Sequence, residues 1–372
     1  MGVTGARVRA VLGARARGPV GDWPEAPSDA DLRDGYARRF GTAPEGVWHA
    51  PGRLALMGEH TAASGGAALF VALPWGVTVA LGTAPGGRAH VATPDGRLGA
   101  RSPAARAVAR AVADAREGGL LAPGRGVRVL IGSGLPEHAS LGYAAAVGAA
   151  VSLALADLAG ADRPTGGGVD QAVVLAARAG HAVRANLGSG RTTVLPFDLE
   201  AAGQRLVVVE TGALPRRDPR PPRAAELARA QEVLGPLRSV QDLPAALRRL
   251  QNPALRQRVE YAVTEVHRLN AAVGLLRAGR AAETGPVLSA SHLSLRGFGL
   301  RLPAVELAVE TAARAGARGA RRTGWAGTAF ALVPEGRVAG LGSAVREAFT
   351  GRGWPPPRIR ALVPSDGASR RG

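Results

Sequence analysis

Arg53, Glu59 and His60 stand within eight positions of one another, in the run Ala50-Pro51-Gly52-Arg53-Leu54-Ala55-Leu56-Met57-Gly58-Glu59-His60-Thr61-Ala62-Ala63-Ser64-Gly65-Gly66. Glycines interrupt the run, and most of its other residues are apolar. Charged groups this dense in an apolar stretch are costly to bury, so they are expected to face a ligand cleft. A second candidate lies downstream. Val127–Ile131 leads into Gly132-Ser133-Gly134-Leu135 and then into a helix expected over 139–158. Unpaired amides at a helix N-terminus, together with the helix dipole, favour an anion such as phosphate. Glu137 sits beside that turn, where it would repel phosphate, hold a hard cation such as Mg2+, or simply act as a first-turn acid.

The elements that must hold these groups follow from pattern. Asp29–Phe40 predicts a helix, because Ser28 can cap it and Leu32, Tyr36 and Phe40 recur every four residues. Residues 47–56 and 67–81 read as strands joined by the loop 58–66. Residues 104–115 read as a helix, and 126–131 as a strand alternating Val with other residues. The helix over 139–158 is small and apolar almost all round, which predicts burial. Residues 166–168 and 215–222 are breaks, and Glu226 and Glu232 fall in the helix after the second. Further helices are expected over 262–277, 281–294 and 303–315, and strands over 329–333 and 359–362. Residues 1–28 are rich in Gly, Pro and Arg without periodicity and are expected to be disordered.

Composition narrows the class. The chain has 372 residues, enough for two domains with real cores, and no cysteine, which removes disulfides and thiolate chemistry. No apolar stretch of about 20 residues is present, so no membrane span is expected. The net charge is +18, yet all 47 basic side chains are Arg and they are dispersed along the chain. With no reading motif and few aromatics, nucleic acid is not the expected partner. A cytoplasmic monomer is the expectation.

The first run resembles the galactokinase signature G-R-x-N-L-I-G-E-H-T-D-Y-N-x-G, with Ala55 in place of its Asn and Ala62 in place of its Asp. That family belongs with the homoserine, mevalonate and phosphomevalonate kinases. Ser289-Ala290-Ser291-His292-Leu293-Ser294-Leu295-Arg296 is similar to the family's N-x-S-H-x-S-L-R turn, and the likeness runs from about residue 29 to residue 362. It implies an α+β (α/β two-layer) fold in two domains, 29–200 and 201–366, with a cleft between them and a tail over 367–372. It further implies ATP and Mg2+ as cofactors and a small-molecule sugar as substrate. Arg53 would stabilise the transferring phosphoryl group, and Glu59 and His60 would bind sugar hydroxyls. Gly132, Ser133, Gly134, Leu135 and Gly324 would hold the nucleotide, and Glu137 the metal.

Departures from the family pattern shape the functional expectation. Its P-x-G-x-G-L-S-S-S-A motif is read here with Pro136-Glu137-His138 in place of the three serines. Its G-I-M-D-Q motif, whose Asp faces the sugar hydroxyl, is read as absent between Val169 and Pro196, and no Asp or Glu lies between Asp170 and Asp198. His181 is then the nearby group able to accept a proton near neutrality, the alternative being a packing histidine. The Tyr of G-E-Y-x-x-R-R has no counterpart over 213–226, and Trp325 stands inside the closing glycine turn. Two readings follow. One is an ATP-dependent kinase of galactose or a related sugar, acting at the anomeric hydroxyl. The other is an inactive relative that binds a sugar, a nucleotide or a protein as a sensor or scaffold.

Overall fold

The computed structural model describes residues 22–371. Along the chain run α1 (Asp29–Phe40), β1 (Gly46–Met57), β2 (Ala67–Pro85), β3 (Ala89–Thr93), β4 (Gly96–Arg97), α2 (Pro103–Glu117), β5 (Arg125–Ser133), α3 (Tyr143–Leu158) and α4 (Val169–Ala176). Next come β6 (His181–Asn186), β7 (Thr192–Pro196), β8 (Gln204–Glu210), α5 (Arg220–Leu234), α6 (Leu243–Arg248), α7 (Pro253–Arg277), α8 (Gly285–Gly297) and α9 (Pro303–Arg314). The chain closes with β9 (Gly319–Thr323), β10 (Thr328–Pro334), α10 (Val338–Thr350), β11 (Arg358–Leu362) and β12 (Ser369–Arg371). The α+β class expected from the sequence is the class observed.

The chain divides into two compact units. Of the described residues, the first holds Asp22, Ala55–Val71 and Gly180–Pro364; the second holds Trp23–Leu54, Ala72–Ala179 and residues 365–371. In the second unit the strand order is β12-β1-β2-β5-β3-β4. β2 meets β5 antiparallel, with Val77 opposite Ser133 and Pro85 opposite Arg125, while β3 joins β5 in parallel. α1 packs Leu32 and Tyr36 against Val47, Ala80, Ala92 and Leu130. It is stopped where the sequence predicts: the Ser28 side chain accepts from the Asp31 amide, and Gly41 closes the last turn with φ 74.

In the first unit β6 pairs with the opening residues of β2 and with β7. A separate antiparallel sheet runs β11-β8-β10-β9. Val207, Val209, Ala329 and Ala331 of that sheet share a core with Val305, Leu341, Val345 and Phe349 of α9 and α10. Each such large side chain, fully buried, contributes about 1.5–3 kcal/mol.

Four expectations change. The helix expected from 139 begins at Tyr143, because Ser140 (φ 58) and Gly142 (φ 81) hold the preceding loop in left-handed backbone. The break expected over 215–222 ends at Arg220, since prolines fit the first turn of α5 where no amide partner is lost. α7 starts at Pro253 rather than 262, with the Asn252 side chain accepting from the Ala254 amide. Residues 281–294 divide into a 3-10 turn, Ala281–Thr284, and α8. Of the leader expected to be disordered, residues 1–21 lie outside the described residues. Residues 23–28 lie on the second unit, where Trp23 meets the Trp75 ring edge-on at 5.1 Å.

Candidate functional site

Arg53 lies on β1 in the second unit, its side chain 16% exposed. Its amide donates to the Leu141 carbonyl at 2.9 Å, which ties β1 to the loop before α3. A Cβ on Gly142 would meet Arg53 Cγ at 2.6 Å, so only glycine lets this side chain cross the helix start. The guanidinium then reaches Asp170 in the first turn of α4. Nε donates to Oδ1 and NH2 to Oδ2, both at 2.7 Å. This is a two-point, charge-assisted pair of the stronger kind.

Helix α3 begins under that pair. Its first intrahelical bond runs from the Ala146 amide to the Gly142 carbonyl, and no side chain caps it. The amides of Tyr143, Ala144 and Ala145 therefore have no intrahelical acceptor, which is the arrangement that receives an anion. Ser140 is the one non-glycine with positive φ among the described residues. Counted from Pro136, the family pattern P-x-G-x-G-L-S-S-S-A puts a glycine at Ser140, leucine at Leu141 and the serine triplet at Gly142-Tyr143-Ala144. The backbone thus reveals a register that the residue types conceal.

Gly132, Ser133, Gly134 and Leu135 follow from the end of β5 in the same unit, with the Leu135 side chain and the Leu141 carbonyl both beside Gly52. Gly132 and Ser133 end β5, opposite Thr78 and Val77. The Gly134 amide donates to Gly76 O at 2.9 Å, and the Leu135 amide to Ser133 Oγ at 3.0 Å. Pro27 fills the space where a Gly132 Cβ would lie, and Trp23 Nε1 donates to Gly134 O at 3.0 Å. Glu137 follows in the loop, six residues before the helix, so it is not a first-turn acid. Its carboxylate lies 3.8 Å from His138 Nε2, and both side chains are about two-fifths exposed. Burial, aided by the Glu137 charge, pushes the Tyr143 hydroxyl up to about 12.

Glu59 and His60 belong to the first unit, in the 3-10 turn Glu59–Ser64. Glu59 accepts from Arg321 NH1 at 2.7 Å, from Arg321 NH2 at 3.0 Å and from the Gly324 amide at 3.1 Å. Burial opposes the Glu59 charge, but the facing Arg321 outweighs it and holds the carboxyl at about 2. His60 is buried against Trp325, Phe298 and Tyr261, with ring centroids 4.4, 6.0 and 6.4 Å away. Burial lowers it to about 3, so the ring is neutral at physiological pH. Ala62 and Ala63 are exposed on the same turn. Gly324, with φ 57, spends its amide on Glu59. His181, half-buried, opens β6 opposite Pro196 in the first unit, whereas Arg53 lies in the second.

Two functional candidates are missing from the sequence reading. Asp170 is one: Gly167-Gly168-Val169-Asp170-Gln171 carries the Gly, Asp and Gln of G-I-M-D-Q. The contact with Arg53 makes Asp170 a candidate for the position expected to be without a counterpart. Arg321 is the other. It is fully buried in β9, a strand whose five residues are all buried, and a charge in such a strand signals a partner.

A galactokinase galactose-binding signature matches residues 34–83, which hold Arg53, Glu59 and His60. The fold is shared with solved small-molecule kinases. A Lactococcus lactis galactokinase complexed with galactose aligns with TM-score 0.81 at 22% identity, covering 92% of this chain and 99% of that one. A mevalonate kinase from L. major in complex with R-mevalonate aligns with TM-score 0.58 at 18% identity, over 86% of this chain and 96% of that one. In sequence, the galactokinase of Streptomyces coelicolor is 33% identical, over 90% of this chain and 96% of its own length. That of Mycobacterium bovis is 30% identical, over 86% and 98%. The chain belongs to the galactokinase family.

Proposed function

We propose that the protein is an ATP-dependent sugar kinase that transfers the γ-phosphoryl group to the anomeric hydroxyl of galactose or a related sugar. The observation that carries this is the Arg53–Asp170 pair at the open start of α3. Asp170 accepts the hydroxyl proton as the sugar oxygen bonds to γ-phosphorus. The bond from γ-phosphorus to the β–γ bridging oxygen breaks, and ADP leaves. Arg53 holds the Asp170 carboxylate in place through two hydrogen bonds, and its positive charge offsets the negative charge of the transferring group. The α3 amides receive phosphate oxygens. Phosphoryl transfer is mostly positioning and charge neutralisation, which suits this set. The galactose-binding signature matched over residues 34–83 supports a sugar-recognition role for Glu59 and His60 in the first unit.

Among the described residues no group of three acidic or imidazole side chains gathers to hold a metal. A cation carried on nucleotide phosphates needs only one or two carboxylates, and Glu137, which among the described residues forms no ion pair with an Arg, fits that need. Mg2+ so held would neutralise charge on the phosphates. The inactive-relative reading rests on Ala62, on Pro136-Glu137-His138 and on a missing G-I-M-D-Q carboxylate, and Asp170 is a candidate for the last of these. Coupled ADP release measured over a panel of sugars, with the phosphorylated position read by phosphorus NMR, tests the proposal. Release stimulated by galactose or an epimer, with a sugar 1-phosphate as product, is expected; the same ADP release with and without every sugar would refute it.

A further inference from the structure

We propose that Arg321 is a positioning residue for sugar recognition, fixing the carboxylate of Glu59 through a buried network anchored on Glu265 and Ser291. The proposal rests on the sugar-kinase reading. Arg321 is fully buried and spends every face of its guanidinium. NH1 and NH2 hold the two Glu59 oxygens, NH1 also donates to the Arg322 carbonyl, and Nε donates to Ser291 Oγ at 2.8 Å. Ser291 in turn donates to Glu265 Oε1 at 2.6 Å, and Arg321 NH2 lies 3.4 Å from the same oxygen.

Glu265, fully buried on α7, also accepts from the Gly58 amide at 3.1 Å and from Arg268 Nε at 2.8 Å. One carboxylate therefore grips both the backbone entering the sugar turn and the guanidinium that orients its acid. Such a network, satisfied at each of these atoms, locks rotamers in a way surface pairs do not. The groups facing Glu59 are Arg321 and Arg322 on β9, Tyr261 on α7 and its neighbour His60. Of these only Arg321 touches both carboxylate oxygens. Without it Glu59 would be a buried acid facing an aromatic cluster, and its carboxyl would rise toward neutrality.

The test compares wild type with R321K, S291A and the charge-balanced double variant R321M/E59Q, whose buried pair is neutral and so remains able to fold. Sugar affinity by calorimetry, and kcat and KM for sugar from pH 5 to 8, are the readouts. Wild type is expected to show a flat sugar KM. R321K should raise sugar KM about tenfold with kcat within about threefold, because an ammonium cannot make the two-point contact. Its KM should also fall as pH rises, since Glu59 would then titrate within the range. S291A should move the same way by a smaller factor, and R321M/E59Q should lose sugar affinity at every pH. R321K and S291A with wild-type KM across the range, beside a wild type that binds sugar, would overturn the proposal alone. A folded wild type that binds no sugar would overturn the sugar-kinase reading, and this inference with it.

Discussion

At the residue scale two charge pairs carry the expectations, Arg53 with Asp170 and Arg321 with Glu59. Gly167-Gly168-Val169-Asp170-Gln171 keeps three letters of a five-letter pattern, and the two apolar letters between them are replaced. Arg321 meets Glu59 across 262 positions, a pairing that no local spacing announces. The residue-scale expectations are correspondingly sharp. Asp170→Asn keeps the shape but removes the proton acceptor, so kcat should fall about 10²–10⁴-fold. His181→Ala, at the opening of β6 in the first unit, should leave kcat nearly unchanged. Ala62 stands where the family signature has an Asp and is exposed on the sugar turn. Ala62→Asp should tighten galactose binding about tenfold in calorimetry, the worth of a hydrogen bond to a charged group. Unchanged affinity would mean that this turn does not contact the sugar.

At the scale of elements, α1, β1, β2 and β5 were legible because caps, alternation and four-residue spacing act locally. The start of α3 was not. A run of alanines carries no stop signal, and at the left-handed Gly142 the close approach of Arg53 leaves no room for a side chain. Gly142 is thus the hinge between sequence and chemistry in this unit. Gly142→Ala should cost about 1–2 kcal/mol through its left-handed backbone alone, with further loss from the Arg53 stem it would strike. Thermal unfolding should show that decrease. Turnover should fall further than stability predicts, because the displaced Arg53 can no longer hold Asp170. A variant with a lowered melting point and wild-type kcat would separate the two roles and remove Gly142 from the site.

Across the whole molecule, buried groups held in one charge state link stability to pH. His60 is held at about 3 and His49 at about 4, both chiefly by burial, against an ordinary value near 6.5. Each is neutral in the folded chain, so the unfolded chain binds more protons as pH falls below 6.5. Glu59, held at about 2 by Arg321 against the opposing effect of burial, adds a loss from about 4.5 downward. Stability should therefore be full above pH 6.5 and decline below it, by about 1.4 kcal/mol per pH unit for each group within its window. Chemical denaturation at stepped pH would show this, and His60→Phe, which suits the surrounding rings, should flatten the upper part of the slope. No helix among the described residues is long and apolar enough to cross a membrane. Sugar-dependent phosphoryl transfer is the function proposed for the chain. The most direct test of that is sugar-dependent ADP release from wild type, Asp170→Asn and His181→Ala side by side. The account predicts release with wild type and His181→Ala, and its collapse with Asp170→Asn. Equal turnover in Asp170→Asn and wild type, or collapse with His181→Ala alone, would contradict it.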